Sequence, residues 1–186
     1  MLYLVAKASL SDNIKCFYPK DDEASPINYT FELICTSCRE THDSLVRINC
    51  FEKHSMPGSR GEASLVMKCN FCGKECSINL ERTEEVLYNT SIPDNEEDIK
   101  KMVSNRKKLG LKGLDSNSAA WLQMDCRGCE VTKFETADAV FQVELASGKS
   151  MECVFEDGEN EWYDYDDDAG EEVSVVDVKF ITVKGK

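Results

Sequence analysis

Two Cys-x-x-Cys pairs, Cys35-Thr36-Ser37-Cys38 and Cys69-Asn70-Phe71-Cys72, are separated by residues 39–68. Each pair offers two thiolates from one tight turn, and four thiolates complete a closed tetrahedral zinc shell. Such a shell has no open coordination position, so it braces a fold and does not activate water. The spacing therefore predicts Cys35, Cys38, Cys69 and Cys72 as the ligands of a single structural Zn2+. His42, four residues past Cys38, is the competing donor. With two complete pairs available it reads as a surface residue or a neighbour of the site, and His54 is the only other histidine. Cys76 reads as a small buried hydrophobe, a role free cysteine fills well.

Metal binding requires reduced thiols, and the rest of the chain agrees with a reducing compartment. The apolar stretch Met1 to Ala8 is short and has no basic residues before it, so it does not read as a signal peptide. No run approaches the ~18 apolar residues of a membrane helix. The expectation is a soluble intracellular protein, cytoplasmic and also nuclear, whose ten cysteines are free thiols or metal ligands rather than disulfides. The 22 Lys and Arg residues face 35 Asp and Glu, a net charge of -13. That surface repels phosphate backbones and argues against a general nucleic-acid binder. One basic island, Lys100, Lys101, Arg106, Lys107, Lys108 and Lys112, runs against the trend and reads as a charged connector.

The knuckles are carried by strand-like sequence. Tyr29, Phe31 and Leu33 alternate with polar residues and deliver Cys35. Leu65 to Lys68 delivers Cys69, and Ile78 and Leu80 share one face of the strand leaving the second pair. Ser44 to Phe51 reads as a return strand and Val173 to Val183 as a closing strand, with a phase slip at Val175-Val176 that predicts a bulge. Residues 91–118 differ. Pro93 and four acidic residues open the segment, Ile99, Met102 and Val103 have helical spacing, and basic residues precede Gly110, so a short helix or polar connector is predicted.

The second half echoes the first. Ala120 to Met124 leads into Cys126-Arg127-Gly128-Cys129, and Val140 to Leu145 leads into Ala146-Ser147-Gly148-Lys149. Laying Gly148-Lys149 over Gly73-Lys74 sets Ser147 on Cys72 and Glu144 on Cys69. The prediction is an all-β fold of two similar barrel-like halves in a pseudo-two-fold arrangement, an internal duplication with zinc knuckles in the first half only. Residues 1–90 form the zinc-bearing half, 91–118 a connector, and 119–186 a degenerate repeat without a complete metal site.

Cys126 and Cys129 admit three readings: a redox dithiol helped by Arg127, a metal pair completed by Glu144 and Cys153, or two packing residues. A thioredoxin-like dithiol should open a helix, and β-rich sequence follows here, which favours packing. Arg60 and Arg127, each beside glycine, read as struts to backbone carbonyls or as binders of a carboxylate or phosphate. The acidic run Glu156 to Asp168, interleaved with Trp162, Tyr163 and Tyr165, reads as a solvated loop or a docking site for a basic partner. There is no Ser-His-Asp set, no phosphate-cradling glycine loop and no His-Glu-x-x-His motif, so no catalytic residue is assigned.

Several longer motifs resemble one family. Ser59-Arg60-Gly61-Glu62-Ala63 followed by Leu65 to Cys72, Cys35-x-x-Cys38 with Glu40 and His42, Asp125-Cys126-Arg127-Gly128 with Glu130, and Trp162 to Asp166 together resemble the eukaryotic CXXC-motif-containing zinc-binding protein family. The resemblance runs from the N-terminus to the last strand. It implies an all-β fold of two similar halves and one zinc on Cys35, Cys38, Cys69 and Cys72, and it brings no enzymatic activity. Cys129 departs from the pattern, where an aliphatic residue is usual. The function expected is that of an intracellular zinc-binding protein, a non-enzymatic binding or adaptor module with a protein partner and a monomeric default. The alternatives are a thiol redox or metal-handling protein using Cys126 and Cys129, and a nucleic-acid-associated zinc ribbon.

Overall fold

Alternation of apolar and polar side chains becomes fifteen strands in a computed structural model that describes all residues 1–186. In chain order these are β1 (Leu2–Leu10), β2 (Ile14–Pro19), β3 (Tyr29–Cys35), β4 (Val46–Ile48), β5 (His54–Ser55), β6 (Glu62–Ala63), β7 (Leu65–Lys68), β8 (Glu75–Arg82) and β9 (Leu87–Tyr88). After the one α-helix, α1 (Glu96–Leu109), come β10 (Ser118–Arg127), β11 (Cys129–Glu135), β12 (Phe141–Leu145), β13 (Ser150–Cys153), β14 (Trp162–Asp166) and β15 (Glu171–Lys184). All strand pairings between them are antiparallel.

The strands form a six-stranded sheet in the order β14-β15-β1-β10-β8-β7, a three-stranded sheet β11-β3-β4, a four-stranded sheet β13-β12-β2-β9, and the small hairpin β5-β6. Each of the three larger sheets draws strands from both the 1–90 stretch and the 119–186 stretch. The order has a symmetry. Exchanging β1 with β10, β8 with β15 and β7 with β14 reverses the six-stranded sheet onto itself. Exchanging β2 with β11, β3 with β12 and β4 with β13 converts β11-β3-β4 into β2-β12-β13. Related strands lie at the centre of the molecule, where β1 pairs with β10.

That topology corrects the register of the sequence repeat. The turn holding Gly148-Lys149 joins β12 to β13, so its counterpart is the Cys35–Cys38 turn after β3, not Gly73-Lys74. The counterpart of the Cys69–Cys72 turn is the one joining β14 to β15. The glycine and lysine that invited the alignment sit in similar tight turns, which is a local likeness only. At this second corner a charge pair stands where the first has sulfurs. Lys149 Nζ lies 3.0 Å from the Asp166 carboxylate and 3.3 Å from that of Asp168, linking the two turns.

The interior is aromatic. Phe17 meets Trp121 edge-on at 5.1 Å, and Phe141 and Phe155 close the cluster at 5.4 and 6.3 Å from Phe17. The sheets pack their apolar faces on this layer, so the core is shared by both halves of the chain. The bulge predicted at Val175-Val176 lies one residue further on. Asp177 has φ 53°, and the β1–β15 register shifts between Lys7 and Ser9 opposite it.

The predicted connector is ordered. A 3-10 turn over Pro93–Asn95 runs into α1, acidic residues fill its first turn, and Gly110 closes it at φ 75°. One member of the basic island is not on the surface. Arg106 is only 2% exposed; its guanidinium makes two 2.9 Å bonds to the Glu85 carboxylate and donates to the carbonyls of Asp115 and Ser118. Glu85 also accepts the Ala120 N–H at 2.7 Å. The pair bolts the helix to the central sheet.

Candidate metal centre

Strand β3 ends on Cys35, and the chain turns back so that the Arg39 N–H bonds the Cys35 carbonyl at 2.9 Å. Strand β7 ends one residue before Cys69, and the Gly73 N–H bonds the Cys69 carbonyl, also at 2.9 Å. The two turns are the same device. Gly73 takes φ 72° and Arg39 takes φ 63°, the left-handed conformation that closes each knuckle.

The knuckles face each other. Cys35 Sγ is 3.7 Å from Cys72 Sγ, Cys38 Sγ is 3.7 Å from Cys69 Sγ, and all four sulfurs lie within 4.8 Å of one another. Zn–S bonds of about 2.3 Å in a regular tetrahedron separate sulfurs by about 3.8 Å. The donor set and its spacing therefore fit one zinc ion, on the four residues that the Cys-x-x-Cys spacing indicated. Behind the sulfurs a cavity of about 10 Å³ is lined by Leu33, Ile34, Met67, Cys76 and Cys129 among others, which is room for a water at most.

The thiols are biased before any cation is counted. The backbone N–H groups of Cys38 and Ser37 aim at the Cys35 sulfur and hold its thiol down to about 6. At Cys38 the Glu40 N–H acts in the same direction, but burial and the sulfurs of Cys69, Cys35 and Cys72 push it up to about 12. Zinc is bound by thiolates, so metal binding at such a site releases protons.

The second half supplies the brace. The Gly128 carbonyl accepts the Thr36 N–H of the first knuckle at 3.1 Å and the Cys76 thiol, just past the second knuckle, at 3.2 Å. Cys129 lies directly across from Cys35 in the β11–β3 register, with its thiol toward the Ser77 carbonyl at 3.9 Å. Gly128 has φ 74°, and a Cβ there would run into the Glu75 carbonyl oxygen. The Cys126-Arg127-Gly128-Cys129 turn is therefore a buttress that grips both knuckles. We expect Gly128→Ala to weaken zinc affinity by about 10–100-fold, the usual cost of losing a supporting contact behind a metal ligand. Competition with a chromophoric chelator measures it, and an unchanged affinity would contradict this role.

The remaining candidates fall into place around this corner. Burial, with the Asp125 and Glu130 charges, pushes the Cys126 thiol up to about 11. Burial and the nearby sulfurs of Cys126 and Cys76 push Cys129 higher still. A redox dithiol needs the opposite shift. Glu144 does not complete a metal pair with them: it accepts the Tyr18 hydroxyl at 2.7 Å and faces Cys16 Sγ at 3.7 Å. Cys153 is buried in β13, across from Phe141. His42 turns its Nδ1 to the Ser44 carbonyl at 2.8 Å. His54 is exposed in β5, and Arg60 is exposed in the loop between β5 and β6. Of the two readings given for Arg127, the structure shows a carboxylate contact, to its own neighbour Asp125 at 3.3 Å on the surface, in place of a backbone strut.

Comparison with known proteins shows a family named for zinc binding. A family model described as the eukaryotic CXXC motif containing zinc binding protein matches residues 3–182. The UPF0587 protein YCR090C of Saccharomyces cerevisiae is 46% identical over 185 residues, covering 100% of this chain and 99% of that one. The Homo sapiens CXXC motif containing zinc binding protein is 28% identical, covering 97% and 96%. Among solved structures, the crystal structure of C1orf123 superimposes with a TM-score of 0.66 at 27% identity over 98% of both chains.

Proposed function

Because the chain belongs to the eukaryotic CXXC motif containing zinc binding protein family, we propose that it works as a non-enzymatic binding or adaptor module whose one zinc ion is structural. The observation that carries this reading is the closure of the site. Four sulfurs at tetrahedral spacing fill the shell, and the cavity behind them, about 10 Å³, has no room for a substrate. A catalytic zinc keeps a position for water or substrate, with three protein ligands rather than four. Ten free cysteines suit a reducing compartment, so we place the protein in the cytosol or nucleus.

The partner in this reading is a protein and not a nucleic acid. The surface carries a net charge of -13, and burial of Arg106 against Glu85 removes one cation from the single basic island. No helix is long and apolar enough to cross a membrane.

Cobalt substitution tests the closed shell. Co2+ in the four-sulfur site should give the intense absorption of a tetrahedral tetrathiolate, and saturating imidazole or azide should leave it unchanged. A spectrum that shifts on adding either ligand would reveal an open coordination position and overturn the structural assignment.

A further inference from the structure

We propose that the open edge of β14 is the docking site for an extended basic peptide, which adds to the six-stranded sheet as a further antiparallel or parallel strand. The proposal rests on the binding-module reading and names the partner's chemistry. β14 ends the sheet, and β15 is its one paired neighbour. Register decides which backbone groups face outward. Tyr163 lies opposite Ser174, and Tyr165 opposite Glu172. Ser174 turns both its backbone groups toward the β1 side: its N–H donates to Ser11 Oγ at 3.1 Å, and its carbonyl accepts the Ser11 N–H at 3.0 Å. The Glu172 carbonyl faces the same way, accepting the Asn13 amide at 3.0 Å. In an antiparallel pair the residues opposite such positions direct their own N–H and C=O away from the partner. Tyr163 and Tyr165 therefore present their backbone groups to the open edge.

Their side chains are also exposed, at 64% and 48%, while Trp162 packs on the core and Asp166 is buried. The two rings share a trough with Glu172 and Ser174 on one face of the sheet. Aromatic faces beside carboxylates suit the apolar stem and charged head of lysine or arginine. Charge selects the occupant. Residues 156–172 hold ten carboxylates, Glu156, Asp157, Glu159, Glu161, Asp164, Asp166, Asp167, Asp168, Glu171 and Glu172, and no lysine or arginine. A second copy of this edge would bring the same charge and be repelled, whereas a basic strand is attracted. The carboxylate of Asp164 holds the Tyr165 N–H at 2.8 Å, capping the edge in the free protein. A basic side chain opposite can draw that carboxylate away and free the amide for the incoming strand. Backbone bonds then supply affinity and the tyrosine-lined trough supplies preference, as in other strand-addition complexes.

The probe is a capped heptapeptide alternating lysine with valine, with a glutamate-valine peptide of the same length as control. Binding to the full zinc-loaded chain should increase amide-exchange protection at Tyr163 and Tyr165, and the glutamate peptide should leave both unchanged. Tyr163→Pro removes an outward N–H without breaking a β14–β15 bond, and should weaken binding by about tenfold. Equal binding by Tyr163→Pro that keeps its zinc and melting temperature, or protection confined to other residues, would refute the docking site. Because exchange is read on the unaltered chain, the result stands even if the proline variant misfolds. Failure with an unchanged cobalt spectrum overturns this site and leaves the structural-zinc reading intact.

Discussion

Cys69→Ser is expected to purify without stoichiometric zinc and to melt about 10 °C or more below the unaltered protein. Cys69 is buried, and its sulfur stands 3.7 Å from that of Cys38. A serine hydroxyl does not ionise in this range and offers a harder, shorter-reaching donor. Three thiolates remain, and the two knuckles lose the ion that joins them. In small zinc peptides the binding energy is folding energy, on the order of 10 kcal/mol or more. Here the loss should be smaller, because the aromatic layer around Phe17, Trp121 and Phe141 packs without the metal. Amide exchange should therefore rise at residues 35–42 and 68–76 while the β1–β10 pair stays protected. Elemental analysis of reduced protein decides the matter: a full equivalent of zinc on Cys69→Ser would refute the ligand assignment.

Arg106→Ala should cost about 3–5 kcal/mol in denaturant unfolding, the range for breaking a buried ion pair from one side. The Glu85 carboxylate would remain in the interior with only the Ala120 N–H to satisfy it, and the Ser118 carbonyl would lose the guanidinium N–H that it accepts. Zinc content should not change, since this pair lies away from the knuckles. The double variant Arg106→Met with Glu85→Gln should recover a large part of the loss, because no uncompensated charge is then buried. A single variant within about 0.5 kcal/mol of the unaltered protein would mean that the pair is not the bolt described.

The second corner shows how the same fold is closed without a metal. Lys149 reaches from the β12–β13 turn to Asp166 and Asp168 in the β14–β15 turn, the places that the Cys35–Cys38 and Cys69–Cys72 knuckles occupy in the strand order. The Asp166 carboxyl is held below its usual range, chiefly by the hydrogen bond from Lys149. A carboxylate stabilised in this way contributes above its unfolded pKa, and the contribution is lost as pH falls through the lower folded value. Zinc thiolates respond in the same direction, because protons compete with the ion for sulfur. Acid therefore loosens both corners.

How much of this could be read without coordinates differs from element to element. Tyr29, Phe31 and Leu33 alternate so plainly that β3 and its delivery of Cys35 were legible, and acidic and basic residues bracket α1 with Gly110 as its stop. The four-cysteine cluster was legible for a chemical reason: two thiols from one tight turn are a local arrangement, and local arrangements leave their spacing in the chain. Arg106 was not legible. Five lysines around it share its charge, and only the packing of the helix against Glu85 turns one cation of that island inward. The sequence alignment of the two halves does not match the symmetry of the strand order, because glycine-lysine turns recur wherever a tight connection is needed, whereas strand equivalence depends on which strands pair.

Spacing and alternation alone, then, were sufficient for an all-β chain in which Cys35, Cys38, Cys69 and Cys72 are placed to hold one metal ion, since both are properties of neighbours along the backbone. The use of the Cys126-Arg127-Gly128-Cys129 turn belongs to the folded molecule. Gly128 reaches Thr36 and Cys76 across 92 and 52 positions of sequence (128 − 36 and 128 − 76). Pairing of β10 with β8, and of β11 with β3, brings that turn against both knuckles, and long-range strand pairing leaves no fixed spacing to read.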